Sequence, residues 1–400
     1  MDRFGDKICC NPTVKLKKQE SYPVIDIDKI TPGYKAVRSV ASIEYTGQGG
    51  AKFQDHDVLF ARITPCLENG KMAIADTEGQ NGIGSTELFV FRGIDGVSDT
   101  DYVYYLLCMK HIRQLAANSM TGASGRQRAD LDFIKRIQWD FPDIEMQKKI
   151  ASVLSAYDNL IEVNNKRIDF LEQIAENLYK EWFVRFRFPG HETAEFENGI
   201  PEGWAYRRAD EVIDFNPTLK TGNQTEFTII PMEALSTNSM VLDSGCFVRQ
   251  DSISGRRSQN GDTLLAKITP CLENGKTGFV MGMPENEVLG GSTEFVVMRP
   301  KALTPHYVYC IARSYYFRQT AILSMNGADG RQRVDEDKLK STKILQPEKT
   351  VLDHFETIVT PIFDGVYQMV QENKNLIQQR DLLLPRLMSG KLEVQYALND

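Results

Sequence analysis

The stretch Ala61-Arg62-Ile63-Thr64-Pro65-Cys66-Leu67-Glu68-Asn69-Gly70-Lys71 returns as Ala266-Lys267-Ile268-Thr269-Pro270-Cys271-Leu272-Glu273-Asn274-Gly275-Lys276, with ten of eleven positions identical. The offset is 205 residues. At the same offset Asn11-Pro12-Thr13 returns as Asn216-Pro217-Thr218. So does Ser119-Met120-Thr121-Gly122-Ala123-Ser124-Gly125-Arg126-Gln127-Arg128, as Ser324 to Arg333, with eight of ten positions identical. A solenoid requires at least three short repeats; two long ones give two similar domains. The chain therefore reads as the tandem duplication of a half-length unit, its halves related by a pseudo-twofold axis. A two-headed molecule suits a two-part target.

With 400 residues the chain holds two or three domains by length, and each half is long enough to bury a core. Apolar residues make up 42% and charged residues 25%, as in ordinary globular proteins. No run of 18 apolar residues occurs, which excludes a membrane-spanning helix at this level. The first residues lack a hydrophobic signal core, so a cytoplasmic location is expected. Seven scattered cysteines form no C-x-x-C pair, as in a reducing compartment. The net charge of −7 argues against non-specific coating of nucleic acid but leaves room for a local basic face.

Each half begins with a mixed head. Strand-like runs at 57–63, 72–75 and 87–91 have counterparts at 262–268, 277–281 and 294–298, separated by Gly, Asn and Pro. A helix is predicted over 102–118 and again over 307–323. After Pro142 a long helix follows, with apolar residues on a heptad. One seam position carries Ile150, Tyr157, Asn164, Leu171 and Leu178; the other carries Leu154, Ile161, Ile168, Ala175 and Trp182. Such a stripe marks a coiled-coil helix, and a single buried Asn can fix its register. The offset maps this seam onto Phe355, Ile362, Met369, Leu376 and Leu383, with Val359, Val366, Asn373, Arg380 and Leu387. Either each helix covers its own head, or the two pair with each other; a narrow stripe present once per half favours pairing. Helices related by a twofold would run antiparallel and set the heads at opposite ends of a rod about 60 Å long. The fold class is thus α+β: a first head over 1–142, a central long helix over 143–184, a linker over 185–205, a second head over 206–347, a C-terminal long helix over 348–392 and a tail over 393–400.

Several enzymatic motifs fail. Gly275-Lys276-Thr277 resembles the end of a P-loop, but Pro270 stands where that loop requires Gly. No G-x-G-x-x-G follows a strand. Asn-Pro-Thr lacks the aromatic residue of an amino-methyltransferase loop and reads as a turn. The acidic Pro142-Asp143-Ile144-Glu145 sits at a helix start, where it favours the helix dipole. Cys66 and Cys271 have no repeat-equivalent His to act as base, so they read as packing residues. No metal-ligand cluster and no catalytic constellation is visible.

The candidate binding residues lie in the repeats. Arg126, Gln127 and Arg128, with Arg331, Gln332 and Arg333, follow a glycine-rich loop. Arg reads guanine edges or grips phosphate, and Gln reads adenine. The alternative is that these Arg bond to carboxylates such as Asp130 and Asp335. Asn69 and Lys71, with Asn274 and Lys276, are candidates for backbone phosphates, which carry no sequence information, or form a solvated turn. Lys15-Leu16-Lys17-Lys18 is confined to the first half, and Arg249 to Arg257, containing Arg256 and Arg257, to the second. A constant scaffold with divergent loops is what two heads reading different sequences need.

Taken together, these features resemble the specificity subunit of type I restriction–modification systems over essentially the whole chain. The most specific are the paired Gly-Arg-Gln-Arg segments, Glu181-Trp182-Phe183 leading to Pro201-Glu202-Gly203-Trp204, and the ending Leu382 to Leu392. The chain departs from a strict repeat in starting close to the first head without a Pro-Glu-Gly-Trp lead. The resemblance implies two target recognition domains, each reading half of a bipartite site in double-stranded DNA, with the paired helices fixing the spacer. It implies two docked methyltransferase subunits that methylate adenine, restriction and motor subunits beside them, and no membrane. S-adenosylmethionine would sit on the methyltransferase partner, leaving no cofactor in this chain. Two other readings compete: a stand-alone methyltransferase or nuclease with a cryptic site, and a protein scaffold built on the coiled coil.

Overall fold

The computed structural model describes residues 1–123, 125–328 and 330–394; Ser124, Asp329 and the expected tail beyond 394 lie outside them. Two units are present. The first combines residues 1–163 with the chain from 373 onward, and the second is 164–372. Each unit therefore contains one head and a stretch of both long helices, so it does not follow the linear division of the sequence.

In the first unit the central strands are apolar on both faces. Every residue of Val58–Ala61 is buried, as are the first four of Leu88–Gly93. They pair in the order Ile8–Cys10, Leu88–Gly93, Val58–Ala61, Met72–Asp76 and Ala36–Arg38. A second sheet follows the order Ala41–Glu44, Ser21–Ile25, Gly82–Gly84 and Ala51–Phe53. The second unit repeats the plan. Ile213–Phe215, Phe295–Pro300, Thr263–Ala266 and Thr277–Phe279 form one sheet; Val248–Gln250, Phe227–Ile230, Leu289–Gly291 and Arg256–Ser258 form the other. A buried carboxylate pins each first sheet. Asp57 accepts from Arg92 Nε and Nη2 at 2.6 and 2.7 Å, and Asp262 accepts from Arg299 at 2.8 and 2.6 Å. Asn11 and Asn216 take left-handed φ of 49° and 52° and accept from Val90 N–H and Val297 N–H, so the Asn-Pro-Thr triplets are turns.

The helix expected over 102–118 is two helices, Thr100–Cys108 and Lys110–Asn118, and its counterpart is Pro305–Arg313 and Tyr315–Leu323. Met109 and Ser314 have extended backbone at the break, and Ser314 Oγ caps the second helix by accepting from Phe317 N–H at 3.3 Å. The break lets both halves bury residues in one core, Tyr102 to Leu107 with Ile112 and Ala116, so apolar spacing alone did not reveal it. The N-terminus pairs as the second head does. Asp2–Arg3 lies antiparallel to Gln138–Trp139, matching Ala205–Arg208 on Lys343–Gln346. In the linker, Phe188 and Trp204 are buried, their rings 4.9 Å apart, so it lies against the second unit.

The long helices are Ile144–Tyr179, continued by a π-helical turn Lys180–Val184, and Lys349–Met388. Within the second unit Trp182 meets Phe355 at 5.9 Å, while Asn164 Nδ2 donates to Glu372 Oε2 at 2.9 Å. Residue numbers rise on one helix as they fall on the other, so the pair is antiparallel. In the first unit Asp158 receives Arg380 Nη1, and Ile150 and Leu154 share a core with Leu384, Leu387 and Met388. The expected seam is buried at Ile150, Leu154, Ile161, Asn164, Ile168, Phe355, Val359, Val366 and Met369, and half-buried at Tyr157, Leu171 and Leu376. One position is corrected: Phe363, not Ile362, is fully buried. Two causes act. A straight helix drifts about 20° per heptad against a 3.5-residue repeat. The heads also pack on the helices, so the buried face is wider than a two-stranded seam.

The first unit contains a polar device that a heptad does not reveal. Asp158 is buried and receives both the Arg380 guanidinium and the Tyr105 hydroxyl, and Arg380 also donates to Gly33 O at 3.1 Å. Burial opposes the Arg380 charge, but Asp158 outweighs it and holds the guanidinium ionised. The repeat-equivalent residues of the second unit are Phe363 and Ala175, both buried in its apolar core. Breaking a buried pair from one side leaves an uncompensated charge, at a cost of about 3–5 kcal/mol. Arg380→Ala is therefore expected to destabilise the first unit by about that amount in denaturant unfolding. Asp158→Phe with Arg380→Ala, which copies the second unit, should restore most of the loss. A double variant as unstable as the single one would show that the Asp158 charge is not the cause.

Candidate nucleic-acid interface

The two most repetitive motifs of the sequence are in contact within each head. Thr64 N–H donates to Gln127 O at 3.0 Å, and Gln127 N–H donates to Thr64 Oγ1 at 2.9 Å. Thr269 and Gln332 repeat these bonds at 3.1 and 3.0 Å. The peptide bonds Thr64–Pro65 and Thr269–Pro270 are both cis. Thr121 and Arg128 exchange backbone bonds of 3.1 and 2.9 Å, as do Asn326 and Arg333, which closes the glycine-rich loop on itself. Gly70 and Gly275 end the Thr-Pro-Cys-Leu-Glu-Asn-Gly turn at φ +72° and +83°. The left-handed φ is what favours glycine there; the neighbouring Arg113 or Arg318 guanidinium is the mobile end of its side chain and could move aside for a Cβ.

Of the expected binding residues, Arg126 and Arg331 are exposed, as are Asn69 and Asn274. Gln127 and Gln332 are half-buried beside the threonines. Arg128 and Arg333 are ion-paired, but with partners other than Asp130 and Asp335. Arg128 donates through Nε and Nη2 to Glu87 at 2.8 and 2.6 Å, and Arg333 to Glu294 at 3.0 and 2.7 Å. These forks hold both glutamates below the usual carboxylate range. Asp130 and Asp335 instead cap the short helices Leu131–Arg136 and Glu336–Ser341. The signal for the true partners is a fourth repeat, Ser85-Thr86-Glu87 against Ser292-Thr293-Glu294, at an offset of 207 residues.

Side-chain direction gives the other expected residues internal partners. Lys71 Nζ donates inward to Ile27 O at 2.9 Å and Lys276 Nζ to Met232 O at 3.1 Å; each half-buried ammonium takes a carbonyl that the fold brings from 44 residues away. Arg256 and Arg257 lie on the strand Arg256–Ser258. Arg256 donates to Glu336 at 2.8 Å and Arg257 to Leu219 O. Cys66 and Cys271 serve the turn through their carbonyls, which accept from Lys71 N–H and Lys276 N–H at 2.9 and 3.0 Å.

Each head thus presents a floor made from the Thr-Pro turn, the Gly-Arg-Gln-Arg segment and an Arg–Glu pair. Exposed groups elsewhere in each head differ. Lys17 and Lys18 are exposed in the first head where the second has Gly222 and Asn223, and Arg249 is exposed in the second where the first has Glu44. Donor-rich, basic side chains on a fixed backbone suit an anionic polymer with hydrogen-bonding edges. Among the described residues no group of His, Cys, Asp and Glu is arranged to hold a metal ion, and no helix is long and apolar enough to cross a membrane.

A model of the type I restriction modification DNA specificity domain matches residues 8–173. The type I restriction enzyme MjaVIII specificity subunit of Methanocaldococcus jannaschii is 23% identical, over 98% of this chain and 92% of its own. The MjaIX specificity subunit of the same organism is 24% identical, over 76% and 72%. The crystal structure of a type I restriction–modification system S subunit from M. genitalium shares the fold, with a TM-score of 0.54 at 14% identity over 96% of this chain and 94% of that one. Motifs, duplicated heads and relatives converge: the chain resembles the specificity subunits of type I restriction–modification systems, over residues 8–173 by the family model and over nearly its whole length by the MjaVIII relative.

Proposed function

We propose that this chain is the non-catalytic DNA-reading subunit of a type I complex, in which each head reads one half of a bipartite site. The observation that carries the reading is the contrast within each head. The turn, the Gly-Arg-Gln-Arg segment and the Arg–Glu pair recur bond for bond, while exposed basic residues elsewhere in each head, Lys17 and Lys18 in the first and Arg249 in the second, have no basic equivalent. Identical floors on heads with unlike surfaces suit two related but non-identical half-sites. Arg126 and Arg331, exposed at equivalent places, are the residues best placed to reach base edges or phosphates.

The long helices, of 36 and 40 residues, set the spacer between half-sites and offer docking faces to two methyltransferase subunits, with restriction and motor subunits joining them. Methyl transfer to adenine, with its S-adenosylmethionine, belongs to those partners. That relatives spanning nearly the whole chain are specificity subunits supports this assignment.

Co-expression with the adjacent methyltransferase subunit, followed by single-base mapping of adenine methylation, is expected to reveal two short defined sequences around a fixed unspecified spacer. An assembled complex that adds no methylation would refute a DNA-reading role. Arg126→Ala with Arg128→Ala is expected to weaken one half-site by roughly 1–3 kcal/mol and leave the other unchanged; simultaneous relaxation of both would contradict one head per half-site. Inserting one helical turn in both long helices should widen the spacer, whereas an unchanged spacer would dismiss the helices as its determinant.

A further inference from the structure

Position 62 is where the eleven-residue repeat differs, with Arg62 in the first head and Lys267 in the second. The surroundings differ with it. In the second head Glu336 gathers every donor at this place. Lys267 Nζ lies 2.9 Å and Arg256 Nη2 2.8 Å from its Oε1, and Asn216 Nδ2 lies 2.8 Å from its Oε2. In the first head the residue equivalent to Glu336 is Leu131, and the equivalent of Arg256 is Ala51. Arg62 makes no ion pair among the described residues. Its guanidinium lies over the Phe89 ring, 4.7 Å from the centroid, and its enclosed Nε has no hydrogen-bond partner.

Arg62 lines an open concavity of about 520 Å³, with Asn11, Thr121 and Arg128 also on its wall. The nearby carboxylates are committed elsewhere. Asp130 accepts from the N–H groups of Asp132 and Phe133, Asp132 from Lys135 at 3.1 Å, and Glu87 is held by the Arg128 fork. Asp130 and Asp132 stand on the same wall, but neither bonds to Arg62, so the concavity holds a guanidinium with no hydrogen-bonded carboxylate of its own, beside an amide and a hydroxyl. That combination fits a phosphate, whose oxygens accept from a guanidinium in bidentate fashion.

We propose that Arg62 is a contact to a DNA backbone phosphate made by the first head alone, and that Glu336 removes the equivalent contact from the second. The proposal rests on the DNA-reading function given above. One consequence is that the heads grip DNA unequally, the first through one more phosphate than the second.

The test uses the full chain assembled with its methyltransferase partner. Binding is measured across a salt series, on a duplex carrying the mapped site and on one of equal length without it. Each phosphate contact contributes a slope of about −0.9 to log K against log salt. Arg62→Met should make the slope shallower by about one on both duplexes and lower low-salt affinity roughly tenfold. Leu131→Glu, which builds the second head's clamp around Arg62, should do the same, and added to Arg62→Met should cause little further loss. Glu336→Leu should steepen the slope, because it frees Lys267 and Arg256. Retained methylation of the half-site read by the second head confirms that each variant is folded and assembled. An unchanged slope in Arg62→Met overturns the proposal. So does an unchanged slope with altered base preference at one half-site, which would make Arg62 a base reader. If the unmodified complex shows no salt-sensitive binding to either duplex, the DNA-reading function fails first, independently of Arg62.

Discussion

The antiparallel pairing of the two long helices is the constraint on which the rest of the structure depends. Neither head closes its core with its own half of the sequence. The first unit buries Leu384, Leu387 and Met388 from the far end of the chain among Phe4, Ile8 and Tyr102. The second buries Ile168, Ala175 and Trp182 among Tyr307, Phe355 and Phe363. Apolar burial at roughly 25 cal/mol per Å² is a large driving force for helices of this length. Here each helix spends it on a partner from the other half of the sequence as well as on a head. Residues separated by more than 200 positions thus become immediate neighbours, as Asp158 and Arg380 are.

The repeated floor of each head is a different kind of constraint, made from polar groups rather than apolar area. Asp57 with Arg92 fastens a strand edge, Glu87 with Arg128 fastens the glycine-rich segment, and both recur in the second head. The first pair is well shielded and the second half-exposed, so they differ in worth. An exposed pair contributes about 0–1 kcal/mol, and its value lies in fixing where a guanidinium points. A floor fixed in this way allows nearby side chains to vary without moving the backbone.

Much of this was legible in the sequence. Periodicity marked both long helices to within a few residues of Ile144–Tyr179 and Lys349–Met388, and unbroken apolar runs marked the central strands. The seam was readable because burial follows spacing. What escaped depends on contacts across sequence distance. The partner of Arg128 is 41 residues away, not two, because Asp130 is already committed to a helix start. Lys71 and Lys276 are as polar as any surface lysine, and only the fold shows a carbonyl waiting for each. Phe363 displaced Ile362 because the heads widen the buried face. The helix breaks at Met109 and Ser314 left the apolar count intact, so no periodicity could expose them.

The buried Asp158–Arg380 pair gives an internally duplicated chain a sense of direction. A helix from the first half, aligned antiparallel with a copy of itself in the same register, would set Asp158 opposite Ala175. A helix from the second half, treated likewise, would set Arg380 opposite Phe363. Each self-match strands two like charges, one at each site, in an apolar core, the costly outcome for a buried ion. Only the union of unlike halves satisfies both sites, with the ion pair at one and the aromatic–alanine contact at the other. Two nearly interchangeable sequences are thereby made distinguishable to each other, and the asymmetry of the finished molecule is written into four side chains.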